Sequence, residues 1–143
     1  MTVTTEEGLR RVLARSALGV IMGATALAAL AGGIYGLTGA KQLPMAWLTG
    51  SPFESYLVPS LVLLLVVGGS LAVATVAVVK RARRAAVLTV GAGLILLGWI
   101  FAEVIVIGYV SWLQPLMAIV AKIILVIAAL EWSHLGPRER RTA

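Results

Sequence analysis

Apolar residues fill four long stretches of this chain, and nearly every charge lies between or outside them. The stretches run from about Ser16 to Gly39, Leu57 to Val79, Ala85 to Val110 and Leu116 to Trp132. Each is close to the ~20 residues that a helix needs to cross a hydrocarbon layer. Backbone in hydrocarbon must satisfy its own hydrogen bonds, and none of the runs alternates as the strands of a small barrel would. The pattern predicts an all-α fold, a four-helix transmembrane bundle forming a single integral membrane domain over residues 1–143. The first stretch follows an Arg-rich start, as a signal peptide does. Its apolar part continues through Gly39, longer than an h-region of about 7–15 residues, so it reads as a retained first span.

Charge sets the expected orientation. Arg10, Arg11 and Arg15 precede the first span; Lys80, Arg81, Arg83 and Arg84 join the second to the third; Arg138, Arg140 and Arg141 follow the fourth. Ten of the twelve Lys and Arg therefore share one side, which places both termini in the cytoplasm of a multi-pass cell-membrane protein. The basic residues flank spans, so the net charge of +6 reads as topology and not as nucleic-acid binding. Lys80, Arg81, Arg83 and Arg84 are also candidates for contact with anionic lipid, at about 1 kcal/mol per basic residue. Tyr35, Trp47, Phe53, Tyr56, Tyr109 and Trp112 gather at the opposite boundary and Trp132 at the basic one, as interfacial rings do.

The segment 40–56 is the most irregular. Pro44 and Pro52 punctuate it and Gly50-Ser51-Pro52 reads as a turn. Trp47, Leu48, Phe53 and Tyr56 make it too apolar to float in water. It is expected to fold over the outer end of the bundle as a short helix and turn.

Small residues mark the packing faces. Gly19 and Gly23, then Gly32 and Gly36, form two G-x-x-x-G pairs in the first span, and Gly68-Gly69 interrupts the second. In lipid such residues let helices approach closely. They serve either the bundle's own contacts or a dimer face, and Gly68-Gly69 also offers a point of bending.

Chemistry is sparse. The chain has no cysteine and no aspartate, which excludes disulfides, thiol redox chemistry and thiolate metal sites. No nucleophile elbow, zinc-protease helix or phosphate loop occurs. No metal site or cofactor is expected; His134 is a lone histidine and Glu131 a surface acid at the basic end. What remains is Glu103, inside "WIFAEVIVIGY", and Lys122 in the next span. Counting from the turn "SWLQP", both lie on the order of 10 Å below the outer boundary. A lone charge in hydrocarbon costs roughly 2.5–3.5 kcal/mol, so the two are expected to pair. Glu54 in the loop, with Ser111 and Gln114 in the turn, are candidate further members of that polar group.

The segments "GSPFESYLVPSLVLLLVVGGSLAVA" and "GWIFAEVIVIG…SWLQP" resemble small four-span membrane proteins of unknown function from high-GC Gram-positive bacteria, over roughly residues 30–117. That resemblance implies no activity. A second resemblance, to small multidrug transporters, rests on four short helices with one membrane glutamate. Theirs lies in the first span, whereas Glu103 lies in the third.

The leading functional expectation is non-enzymatic: an accessory or interaction subunit of a larger membrane complex or a homo-oligomer. The alternative is a small transporter or lipophilic-ligand-binding protein built on Glu103 and Lys122. A lipid-modifying enzyme with Glu54 or Glu103 as base ranks third.

Overall fold

Four helices account for most of the chain in the computed structural model, which describes residues 2–41 and 43–133. We number them α1 (Thr2–Leu37), α2 (Leu57–Val79), α3 (Ala85–Ile107) and α4 (Leu113–Ser133). All four are long and apolar enough to cross a membrane, and the described residues contain no strand. Consecutive helices pack side by side and α4 returns against α1, so the bundle closes as a ring. His134, Arg138, Arg140 and Arg141 lie outside the described residues.

The core is a set of stripes at helical spacing. Leu18, Met22, Ala26 and Ala29 of α1 face Val67, Leu71, Ala74 and Val78 of α2. The ring is completed by Ala92, Leu96 and Ile100 of α3 and by Ala121 and Ile124 of α4. Lipid supplies little hydrophobic drive between helices, so close packing of small residues carries the association. The glycines show how close that packing is. A Cβ on Gly33 would stand 2.7 Å from the Leu64 Cβ and 2.9 Å from its Cα. One on Gly36 would overlap the Ser60 hydroxyl, and one on Gly68 would stand 2.8 Å from Leu30. Gly19, Gly23 and Gly32 also meet α2, at 3.9, 3.5 and 3.3 Å. Five of the six glycines singled out by spacing thus face contacts inside the bundle, whereas Gly69 meets nothing within 4 Å. Gly33, which forms the tightest backbone approach, lies outside both G-x-x-x-G pairs.

α2 is not a uniform helix. Val62–Gly68 winds as a π-helix between α-helical Leu57–Leu61 and Gly69–Val79. π-turns are rare and concentrate at functional sites. This one lies against the glycine-rich end of α1, and its last residue is Gly68, at the point where the sequence expects an irregularity. Pro59 precedes it in the first turn of α2, where its missing N–H breaks no helical bond.

α1 is longer than its apolar run. At 1.5 Å per residue its 36 residues span about 54 Å, well beyond a hydrocarbon layer of about 30 Å. The helix begins before Ser16 and carries Arg10, Arg11 and Arg15 past the membrane-spanning stretch.

The 40–56 segment does fold over one end of the bundle. Met45–Leu48 forms a single 3-10 turn, and Leu48 is buried. The Tyr56 hydroxyl donates to the Pro44 carbonyl at 2.8 Å, tying the start of the segment to its end. Desolvation raises the Tyr56 pKa above its ordinary value of about 10, so the phenol keeps the proton that it donates.

A candidate ligand cavity beneath the 40–56 segment

Beneath this segment lies a cavity of about 390 Å³. All four helices contribute to its wall, and Leu43, Trp47 and Tyr56 close it from the loop side. Most of the lining is apolar, with Leu63, Leu96, Trp99, Ile100 and Met117 as its larger side chains.

Glu103 reaches the cavity because of its place on α3. The inward stripe of that helix runs through Ala85, Thr89, Ala92, Leu96 and Ile100. Spacing of three or four residues carries the same stripe to Glu103 and Ile107, and both line the cavity. The carboxyl therefore occupies a core position at the end of the bundle where the core opens.

The other polar groups of the lining are mostly committed. The Gln114 carboxamide is buried and staples the α3–α4 turn. Its Oε1 accepts from the N–H of Val110 at 3.1 Å and of Ser111 at 3.5 Å, and its Nε2 donates to the Gly108 carbonyl at 3.2 Å. Gly108 ends α3 at φ +76°, a conformation suited to glycine, which lets the chain turn back toward α4. The Ser111 hydroxyl accepts from the Leu113 N–H at 3.2 Å. The Thr25 hydroxyl donates to the Ile21 carbonyl of its own helix at 2.7 Å. Glu103 has no such partner: among the described residues its carboxyl makes no hydrogen bond and no ion pair.

The expected pairing with Lys122 is not present. Lys122 is exposed and does not line the cavity. A residue count from the turn specifies depth, and depth does not specify rotation. Gln114, Ala121 and Ile124 share the inward face of α4, and Lys122 stands about 100° round from Ala121. A long Lys side chain on the outer face can extend along the helix toward the headgroups. Glu54 is likewise no member of the site. It is exposed in the loop and absent from the lining. Gln114 and Ser111 do line the cavity, bonded to the turn and not to Glu103. Three residues that sequence reasoning did not single out for the site are Trp99, Ser60 and Thr25. Trp99 and Thr25 lie inside apolar runs, where nothing in spacing alone separates a lining residue from a packed one.

No group of three His, Cys, Asp or Glu that could hold a metal ion occurs among the described residues. The fold and the site define the class: a multi-pass helical membrane protein with an internal, largely apolar cavity holding one carboxyl. Compared with protein-family models, curated proteins and solved structures, the chain matches none.

Proposed function

We propose that this is a small membrane protein that binds a lipophilic ligand in the cavity beneath the 40–56 segment and transports it. Glu103 is the polar anchor of that cavity and Lys122 has no part in it. The observation that carries this reading is the unpartnered Glu103 carboxyl on the wall of a 390 Å³ apolar cavity. A charged or polar group within a membrane is expensive unless it is partnered, and it marks ligand pathways by default. A carboxyl with no protein donor is best matched by a ligand whose polar end donates: an ammonium or amine head on an apolar body. The charge pattern supports a basic end in the cytoplasm of a cell-membrane protein, with the lidded end facing outward.

The test uses the purified full chain in nanodiscs. A lipophilic alkylammonium and its neutral isostere are titrated while the fluorescence of Trp47 and Trp99, both on the cavity wall, is followed. Preference for the ammonium is expected, with Glu103→Gln losing about tenfold or more in ammonium affinity and little for the isostere. Equal ammonium affinity in wild type and Glu103→Gln would sink the reading.

The accessory-subunit reading keeps one specific support. Gly91 and Gly98 lie seven residues apart on α3, and a Cβ on either would meet nothing within 4 Å. That leaves room for a close helix from another chain. Substituting both with Leu should abolish co-purification of a stoichiometric membrane partner under mild detergent. Unchanged recovery would remove this support.

A further inference from the structure

At the other end of the bundle a groove of about 530 Å³ runs between α1 and the end of α2. Arg11, Arg15 and Arg81 line it, with Ser16 beside them. Val12, Val20, Val78 and Val79 form apolar walls, and Gly19 belongs to the same lining.

The reason for this groove is a mismatch in helix length. The inward stripe of α1 runs Met22, Leu18, then Arg15 and Arg11 at helical spacing. α2 stops at Val79, so the last two stripe positions have no helix against them. They carry guanidiniums where the stripe elsewhere carries apolar side chains.

Two details set this cluster apart from a basic loop that only fixes topology. The Arg15 Nε is buried and has no hydrogen-bond partner. An unpaired donor of that kind is costly, more so on a charged group, unless a ligand or water supplies the acceptor. The second is the backbone at Arg81. α2 ends in a Schellman motif: the Arg81 N–H donates to the Val78 carbonyl at 3.1 Å and the Ala82 N–H to the Ala77 carbonyl at 2.8 Å. Arg81 therefore occupies the left-handed position, at φ +54°, where glycine is the usual residue. An arginine there is held in an unfavourable conformation while its side chain lines the groove. Among the described residues, none of the three guanidiniums forms an ion pair.

We propose that this groove is a binding site for a phosphate group, and that the phosphate is the headgroup of an anionic phospholipid. Guanidinium forks match phosphate oxygens in shape and charge. The exposed Val20 and Val79 continue the groove from the arginines along the membrane-spanning part of the bundle, which suits an acyl chain and is of no use to a free anion. Lys80, Arg83 and Arg84, although basic and adjacent in sequence, do not line the groove. The site is thus a three-arginine pocket built by α1 and the turn that caps α2, distinct from the diffuse attraction of a basic loop.

Native mass spectrometry of the full chain, released from nanodiscs of phosphatidylcholine doped with phosphatidylglycerol, tests this. The wild type should retain phosphatidylglycerol in preference to phosphatidylcholine. Arg15→Gln and Arg81→Gly should each weaken that retention about tenfold, while Arg83→Gln leaves it near the wild-type level. Arg81→Gly relieves the left-handed position, so its thermal midpoint should equal or exceed that of the wild type, which separates loss of ligand from loss of fold. Equal retention of the two lipids by the wild type would overturn the proposal. So would an effect of Arg83→Gln as large as that of Arg81→Gly, since that would mean general charge attraction. Displacement of phosphatidylglycerol by soluble glycerol phosphate at matched concentration would overturn the lipid assignment and leave a free phosphate as the ligand.

Discussion

The two ends of the bundle handle polar groups in opposite ways. Under the 40–56 segment, the turn between α3 and α4 satisfies itself through Gln114, and one carboxyl, Glu103, remains without a partner inside an apolar wall. At the basic end, three guanidiniums crowd an open groove and none has an ion pair among the described residues. On the function proposed above, the first arrangement would select by enclosure, for a lipophilic ligand that brings a donor. On the lipid proposal, the second would select by charge and shape. One rule underlies both. A buried polar group left unpaired by the chain is costly unless a partner comes from outside it.

The largest expected effect bears on the scaffold that both ends share. Gly33→Leu would force side-chain atoms into the Leu64 backbone, and overpacking of this kind costs about 1–3 kcal/mol or more. A large drop in thermal midpoint with loss of both ligands is expected. Gly33 lies at the cavity end, between Gly32 and Gly36 of the lining, so retention of phosphatidylglycerol with loss of the alkylammonium would show that the ends fold independently.

Next in size is Gln114→Ala, which strands two N–H groups and one carbonyl of the turn. The stranded groups of Gly108, Val110 and Ser111 are half-buried, so the net loss is on the order of 1 kcal/mol. A thermal shift together with weakened alkylammonium binding is expected, while phosphatidylglycerol retention stays as in the wild type. Loss of lipid retention as well would break the comparison between the ends.

Tyr56→Phe removes the hydroxyl tie to Pro44, a neutral hydrogen bond worth about 0.5–1.5 kcal/mol. Faster hydrogen exchange across the 40–56 segment is expected, with the rest of the bundle unchanged. The same tie is pH-dependent. The folded state raises the Tyr56 pKa, so the stability it contributes is fully present below about pH 10 and is lost as pH rises through the folded value. Exchange in the wild-type segment should therefore rise toward the Tyr56→Phe level at alkaline pH. A protection factor, corrected for base-catalysed intrinsic exchange, that does not fall at alkaline pH would count against the tie.

The smallest effect belongs to Lys122→Met. An exposed residue outside the cavity should change alkylammonium affinity by less than about twofold, in contrast to Glu103→Gln. Equal losses in the two variants would restore the ion pair that the structure lacks.

Several of these features are legible in the amino-acid sequence. The four spans follow from run length and the lack of alternation, and the boundaries of α2 coincide with the expected ones. The folded-over loop follows from its proline turns and aromatic residues. Glu103 stands out because a carboxyl in an apolar run is conspicuous. The expected pairing fails for a geometric reason. Counting from a turn yields depth along a helix, and a one-residue step, from Ala121 to Lys122, turns a side chain by about 100°. Of the π-helix, only its end is marked, at Gly68-Gly69, because residues 62–67 read as an unbroken apolar run.

Composition and run length alone dictate a helical membrane protein, because hydrocarbon permits little else for such a sequence. The spacing of glycines also dictates that α1 is a close-packing helix. Only the tertiary arrangement decides which of those glycines meet α2, which face of α3 carries Glu103 inward and which face of α4 carries Lys122 outward. It alone brings Arg11 and Arg15 within one groove with Arg81, across more than sixty positions of sequence. The physical reason is the same in each case. Membrane insertion depends on summed hydropathy, which is a property of segments. Ligand sites depend on helix rotation and on where one helix ends beside another, and both are settled by packing between segments.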